Sequence, residues 1–227
     1  VKIACRGFQQ ERLQAFEGCS SLVSIEIPNS VTTIGPWAFG GCSSLVSIEI
    51  PNSVTTINSY AFKGCNGLKS IEIPNSVTTI NSHAFDGCSS LKSIEIPNSV
   101  TEIGGGLFSG CDNLESIVVS EENVVYHSNG DCLIETATNE LVCGCNNSVI
   151  PNYVTSIGYD AFSGCSGLQS IEIPNSVTKI DAGAFENCSN LLRLIIPNSV
   201  TEIVDGPFNG CDNLESIVVS EENVVYH

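Results

Sequence analysis

Cysteine offers the most chemistry in this chain. Twelve occur among 227 residues. Cys19, Cys42, Cys65, Cys88 and Cys111 are spaced by 23, and so are Cys165, Cys188 and Cys211. Thiols bridge, ligate zinc or carry redox chemistry. A cysteine that recurs beside Leu and Phe in every copy points instead to a small buried side chain. Cys132 and Cys143 are placed to face each other across a hairpin, as a cross-strand disulfide or as free thiols. A zinc site is disfavoured, because no C-x-x-C pair or nearby His completes four ligands. Cys5 lies in irregular sequence and receives no role.

Carboxylates are the second chemical resource. Asp+Glu number 25 against 8 Lys+Arg, a formal net charge of -17. That excess argues against a nucleic-acid binder, which needs Lys and Arg against phosphate. Charged residues are only 15% and hydrophobic ones 42%. That balance excludes a disordered acidic tail. No apolar run approaches ~18 residues, so nothing here spans a bilayer as a helix. Catalysis finds little support. The three His stand at 83, 127 and 227, the last two as copies of one position. No G-x-S-x-G, H-E-x-x-H or glycine-rich phosphate loop appears. The recurring glutamates are equivalent to one another, so nothing splits two pKa values for acid/base work.

The elements that position these groups come from one repeated unit, clearest in GCSSLVSIEIPNSVTTINSYAFKGC. A fixed period of this size signals a solenoid. S-I-E-I alternates and is β-branched, hence a short strand. P-N-S turns the chain. T-T-I-x-x-x-A-F reads as a short helical or 3₁₀ piece on the far side. One 23-residue coil cannot bury both of its walls, so coils stack into one parallel sheet with a continuous core. Phe16, Phe39, Phe62, Phe85, Phe108, Phe162, Phe185 and Phe208 are expected to form an internal column. The fold class is therefore an α/β repeat solenoid.

From Cys111 to Cys165 the spacing is 54, which is 23 plus 31. Within the excess, Cys132-Leu133-Ile134 and Leu141-Val142-Cys143 flank polar Thr136 to Glu140, a hairpin signal. GCDNLESIVVSEENVVYH at 110–127 recurs unchanged at 210–227, so the chain stops where a second hairpin would begin. The expectation is a fragment of a longer array. Residues 1–18 read as an irregular cap or degenerate repeat, with Glu11 where Ile is expected. Then follow 23-residue repeats over 19–120, a hairpin insertion over 121–147, and repeats again over 148–227.

The S-I-E-I-P-N-S-V-T-x-I and A-F-x-G-C blocks resemble the BspA-like (Treponema-type) leucine-rich repeats of bacterial surface proteins. The resemblance covers nearly all of the chain beyond about residue 13, with Leu107-Phe108 and Pro207-Phe208 replacing Ala-Phe twice. It implies a right-handed leucine-rich-repeat superhelix, a structural ladder cysteine and a hairpin between coils. It also implies an extracellular place on a bacterial cell surface and adhesion to matrix or cell-surface proteins.

Strand alternation puts Glu26, Glu49, Glu72, Glu95 and Glu172 on the outer, concave face of the sheet. Neighbouring pairs in this file repel by roughly 1 kcal/mol in water-like dielectric. The file reads as an acidic strip for basic protein segments or a loose divalent-cation site, or as a duplicated, solvated glutamate. Val118 and Val218 break it, as do Arg193 and Ile195. A second candidate is the row Trp37, Tyr60 and His83, which contacts protein or sugar or simply covers the edge of the core. No cofactor is implied. Two functions remain open: a non-catalytic binding module, or a structural spacer built of near-identical coils. A consensus-engineered solenoid is a third origin, against which the irregular hairpin argues.

Overall fold

A computed structural model describes residues 15–219. The expected cap is thus mostly outside the described residues, as are Cys5, Glu11 and the 220–227 copy with His227. Local chemistry sets each coil. The P-N-S-V segment closes a turn in which the Val31 N–H donates to the Pro28 carbonyl at 3.0 Å. Val54 and Val77 repeat the bond on Pro51 and Pro74. Proline suits this place because only its carbonyl is needed. The serine hydroxyl then ties each turn to the coil before it: Ser53 Oγ donates to the Val31 carbonyl at 2.6 Å, and Ser76 does the same to Val54.

Fifteen short strands, β1 to β15 in chain order, are present among the described residues. The S-I-E-I positions form a first wall: β4 (Ser93–Ile96), β6 (Ser116–Val119), β11 (Ser170–Glu172), β13 (Arg193–Ile196) and β15 (Ser216–Val219). A second wall is built from two-residue Thr-Ile-type strands. These are β1 (Thr33–Ile34), β2 (Thr56–Ile57), β3 (Thr79–Ile80), β5 (Glu102–Ile103), β10 (Ser156–Ile157), β12 (Lys179–Ile180) and β14 (Glu202–Ile203). Coil-to-coil pairing is parallel in both walls, with Ile34 opposite Ile57 and Ile94 opposite Ile117.

The solenoid is as the repeat dictates, but the S-I-E-I copies at 24–27, 47–50 and 70–73 form no strand beyond the single Glu26–Glu49 bridge. The far side carries no helical or 3₁₀ segment among the described residues. Its Thr-Ile pair is a strand, and the A-F-x-G-C segment is a chain of turns. The reason is local. Trp37, at φ 58°, and Gly41, at φ 72°, both lie in the left-handed region. No right-handed helix tolerates two such residues one turn apart. Alternate N–H groups here reach the next coil and not their own: Phe39 donates to the Ala61 carbonyl at 2.8 Å and Gly41 to the Lys63 carbonyl at 2.7 Å.

The hairpin departs further from expectation. Three strands, not two, form it: β7 (Tyr126–Asn129), β8 (Cys132–Glu135) and β9 (Glu140–Cys143), all antiparallel. It is part of the second wall, because β9 pairs in parallel with β10, Leu141 opposite Ile157. On the first wall it closes the β6 edge, where the Val119 N–H donates to Ser128 Oγ at 3.0 Å and Ser116 Oγ to Asp131 at 2.9 Å. The core consequently divides. Leu133, Cys143 and Cys145 pack with the first half, Cys132, Ile134 and Leu141 with the second. The phenylalanine column divides with it. Phe16, Phe39, Phe62, Phe85 and Phe108 stack at 5.3–5.8 Å, and Phe162, Phe185 and Phe208 form a second stack. Gly144 lies against the Phe162 ring where a further phenylalanine would stand.

The ladder cysteines are buried except at Cys19 and Cys211, which are half-buried, and they do more than fill space. Cys65 Sγ donates to the Phe39 carbonyl at 3.2 Å, Cys88 to Phe62 at 3.3 Å and Cys111 to Phe85 at 3.2 Å. Each thiol thus gives a buried carbonyl a second partner across the coil interface. At the insertion the Gly144 carbonyl takes this part, accepting from Cys143 Sγ at 3.5 Å and from Cys165 Sγ at 3.9 Å. No disulfide links described cysteines. Cys132 lies opposite Asn129 and Cys143 opposite Leu133, so the two do not face each other. Burial pushes the Cys65 thiol from its ordinary 9.0 up to about 12, and Cys132 likewise to about 12. The native state holds these protons more tightly than the unfolded chain does. Their contribution is complete below pH 9 and is lost as pH climbs toward 12. Urea midpoints are expected to fall steeply over that range, and a thiol reagent at pH 8 should label these cysteines only on unfolding. Rapid labelling of the folded protein would contradict both.

Candidate functional site

The outer face of the first wall holds two groups of the expected site residues. Glu26 pairs in parallel register with Glu49, and Glu72 and Glu95 occupy the same position in the next coils. All four are exposed. Glu95 lies opposite Val118, itself 47% exposed, and there the acidic file stops. Beyond the hairpin the second group begins. Glu172 lies opposite Ile195, and Ile195 opposite Val218. Because β6 and β11 belong to different sheets, the structure does not join the two groups into one strip.

The second group surrounds a groove of about 590 Å³. Glu172 and Arg193 supply opposite charges on its walls, and Ile195, Pro174 and Pro197 supply apolar surface. Ile195 is 48% exposed, a large aliphatic side chain that no described part of the chain covers. An apolar floor with a few convergent polar groups is the usual composition of a contact site. Divalent-cation binding finds no cluster. The glutamates stand singly in line, and among the described residues no three His, Cys, Asp or Glu are grouped to hold a metal ion.

Trp37, Tyr60 and His83 do form a row. Trp37 stacks on Tyr60 at 4.7 Å, and Tyr60 on His83 at 5.0 Å. All three have positive φ, 58°, 61° and 58°. Glycine fills the same position at Gly106, Gly183 and Gly206. It does so without strain, having no Cβ. A non-glycine there costs roughly 1–2 kcal/mol, and each ring pair returns about 0.5–1.5 kcal/mol. Stacking offsets only part of the cost, so the backbone does not select these side chains.

Lys63 completes the row, and the sequence reading missed it. Its ammonium lies 5.6 Å from the Trp37 ring and 5.2 Å from Tyr60, and it pairs with Asp86 at 2.8 Å. The signal was available: Lys63 and Asp86 occupy the x of A-F-x-G-C in successive coils. At the far end, His83 Nε2 lies 3.5 Å from Asp160 Oδ2, and its ring meets Tyr159 edge-on at 6.5 Å. Burial holds the Asp160 carboxyl above the usual carboxylate range, with His83 opposing and Glu186 adding to that shift.

Known proteins agree with this architecture. The family model for the BspA type leucine rich repeat region matches residues 12–130 and 140–226. A leucine-rich repeat protein from Eubacterium ventriosum is similar in structure, with TM-score 0.71 and 26% identity over 87% of this chain. This chain spans 60% of that protein's length. One from Bacteroides ovatus is 32% identical over 89% of this chain and 50% of its own, with TM-score 0.58. The Treponema pallidum leucine rich repeat protein has 29% identity over 89% of this chain and 70% of its own, with TM-score 0.51. A search of curated proteins found no match. Among the described residues no helix is long and apolar enough to cross a membrane. The family supports a protein-interaction repeat scaffold, and with coil, register and ladder all accounted for, this chain belongs to the BspA-type leucine-rich-repeat family.

Proposed function

We propose that the outer face of the first wall binds protein, as part of an extracellular, non-catalytic adhesion module on a bacterial surface. The observation that carries this reading is the change of character along one face. Four exposed glutamates at the start give way to a groove built from Glu172, Arg193 and Ile195 near the end. A spacer has no need of such a difference, whereas recognition does. The acidic part attracts a basic segment and raises its rate of encounter. The exposed Ile195 gives that segment an apolar anchor. A partner with a basic stretch beside a hydrophobic side chain fits both, and host matrix and cell-surface proteins are the class to examine. One structural neighbour, from Faecalibacterium prausnitzii, is described as a leucine rich cell surface protein, with 26% identity and TM-score 0.50.

Surface plasmon resonance on purified, immobilised matrix proteins tests the reading. Wild type is expected to bind at least one. Glu49→Lys/Glu72→Lys should slow association and remove its salt dependence, and Ile195→Asp should speed dissociation about tenfold or more. Equal binding by all three proteins would remove the face from the contact. No binding by wild type would favour the spacer.

A further inference from the structure

Two columns run side by side where the hairpin interrupts the stack. One is the left-handed column Trp37, Tyr60, His83, Gly106, Asp160 and Gly183. The other lies three residues later in each coil: Lys63, Asp86, Ser109, Ser163 and Glu186. A cavity of about 450 Å³ opens between them. Glycine lets the side chains of its wall pack closely. A Cβ on Gly106 would run into the His83 ring, and one on Gly183 into the Asp160 carboxylate. The turn after Phe108 stacks directly on the turn after Phe162, across the insertion. There the Gly110 N–H donates to the Ser163 carbonyl at 3.2 Å, and Ser166 Oγ to Asp112 at 2.5 Å.

The lining is unbalanced in charge. Asp86, Asp112, Asp160 and Glu186 contribute carboxylates, against Lys63 and the His83 ring. Lys63 already demonstrates what fits here, since its ammonium lies over the row's rings and reaches Asp86. Further into the cavity the same arrangement recurs without its cation. Among the described residues Asp160 has only the His83 ring as a basic partner, and Glu186 makes no ion pair. Two lining residues each hold a buried atom without a hydrogen-bond partner: Ser109, only 9% exposed, at Oγ, and His83 at Nδ1. Buried polar atoms normally find partners, and an orphan beside a cavity points to a missing one.

We propose that this cavity is a binding site for a primary ammonium group, carried by a lysine of a partner protein or by a free aliphatic diamine. Asp160 and Glu186 supply the counter-charge. Ser109 Oγ accepts one N–H, and His83 forms the wall, as Tyr60 does for Lys63. The site is separate from the sheet face, so either can fail without the other.

The probes are 1,4-diaminobutane, the capped tripeptide N-acetyl-Gly-Lys-Gly-amide and, as control, N-acetyl-Gly-norleucine-Gly-amide, each titrated into the isotope-labelled protein by NMR. The amides of Ser109, Ser163 and Gly164 are expected to shift with an ammonium probe and to stay still with norleucine. A response to the tripeptide alone assigns the site to a protein lysine, and a response to the diamine alone to a free amine. Asp160→Asn/Glu186→Gln should weaken binding at least tenfold. Asp160 adopts a left-handed backbone, with φ 53°. Asparagine tolerates that conformation. If that double variant melts early, Glu186→Gln alone gives the comparison, with a several-fold loss expected. Still amides with both ammonium probes, or equal affinity in variant and wild type, would overturn the proposal.

Discussion

Phe85→Ala is expected to cost about 3–5 kcal/mol of stability. Phe85 is fully buried, and its ring stacks on Phe62 at 5.4 Å and on Phe108 at 5.8 Å. Alanine would leave a void bounded by two parallel rings that the adjoining coils hold apart, so the site cannot collapse to fill it. In a stacked array each coil is stabilised chiefly by its neighbours, and a void between coils weakens two interfaces at once. The single tryptophan makes the measurement local, because Trp37 belongs to the first half. Its fluorescence in urea should show a large shift of midpoint for Phe85→Ala and a smaller one for Phe185→Ala, whose ring stacks in the second half. A loss under about 1 kcal/mol would mean that the stack is not the core of the first half.

Gly144→Leu should be nearly as damaging, at about 3 kcal/mol or more. Gly144 has no room for a side chain, since even a Cβ would overlap the Phe162 ring. Its N–H also donates to the Ala161 carbonyl at 2.8 Å, a direct link from hairpin to second half. Leucine there must push the hairpin off the following coil. Trp37 fluorescence and far-ultraviolet circular dichroism, coincident in the wild type, should then give separate midpoints as the halves unfold independently. Coincident midpoints in the variant would show that the halves are coupled by some other route.

The fold was legible because one physical requirement recurs at a fixed spacing. Ile34, Ile57 and Ile80 each bury a side chain on the Ile of the next coil, and the 23-residue period announces that register. The helical reading of T-T-I-x-x-x-A-F failed at Trp37, Tyr60 and His83. Their left-handed backbone is invisible in bulky residues and is hinted only by glycine at positions 106, 183 and 206 of the same column. The third strand of the hairpin escaped because Tyr126–Asn129 is polar and exposed on one face, with little alternation to see. Among the site residues, Glu26 and Glu49 were readable from strand alternation alone. The cavity was not. It depends on the turns at Gly110 and Gly164 meeting across the whole insertion, a contact that no local pattern encodes.

The absence of first-wall pairing between β6 and β11 has a mechanical meaning. Between β4 and β6 and from β11 to β15, tension along the stack is shared by ladders in both walls. At the insertion it passes through β9–β10, the Gly144–Ala161 bond and turn contacts such as Gly110–Ser163 and Ser166–Asp112. Pulled from its ends, the protein should part there first, as two stiff rods on a tether, long before either rod unravels.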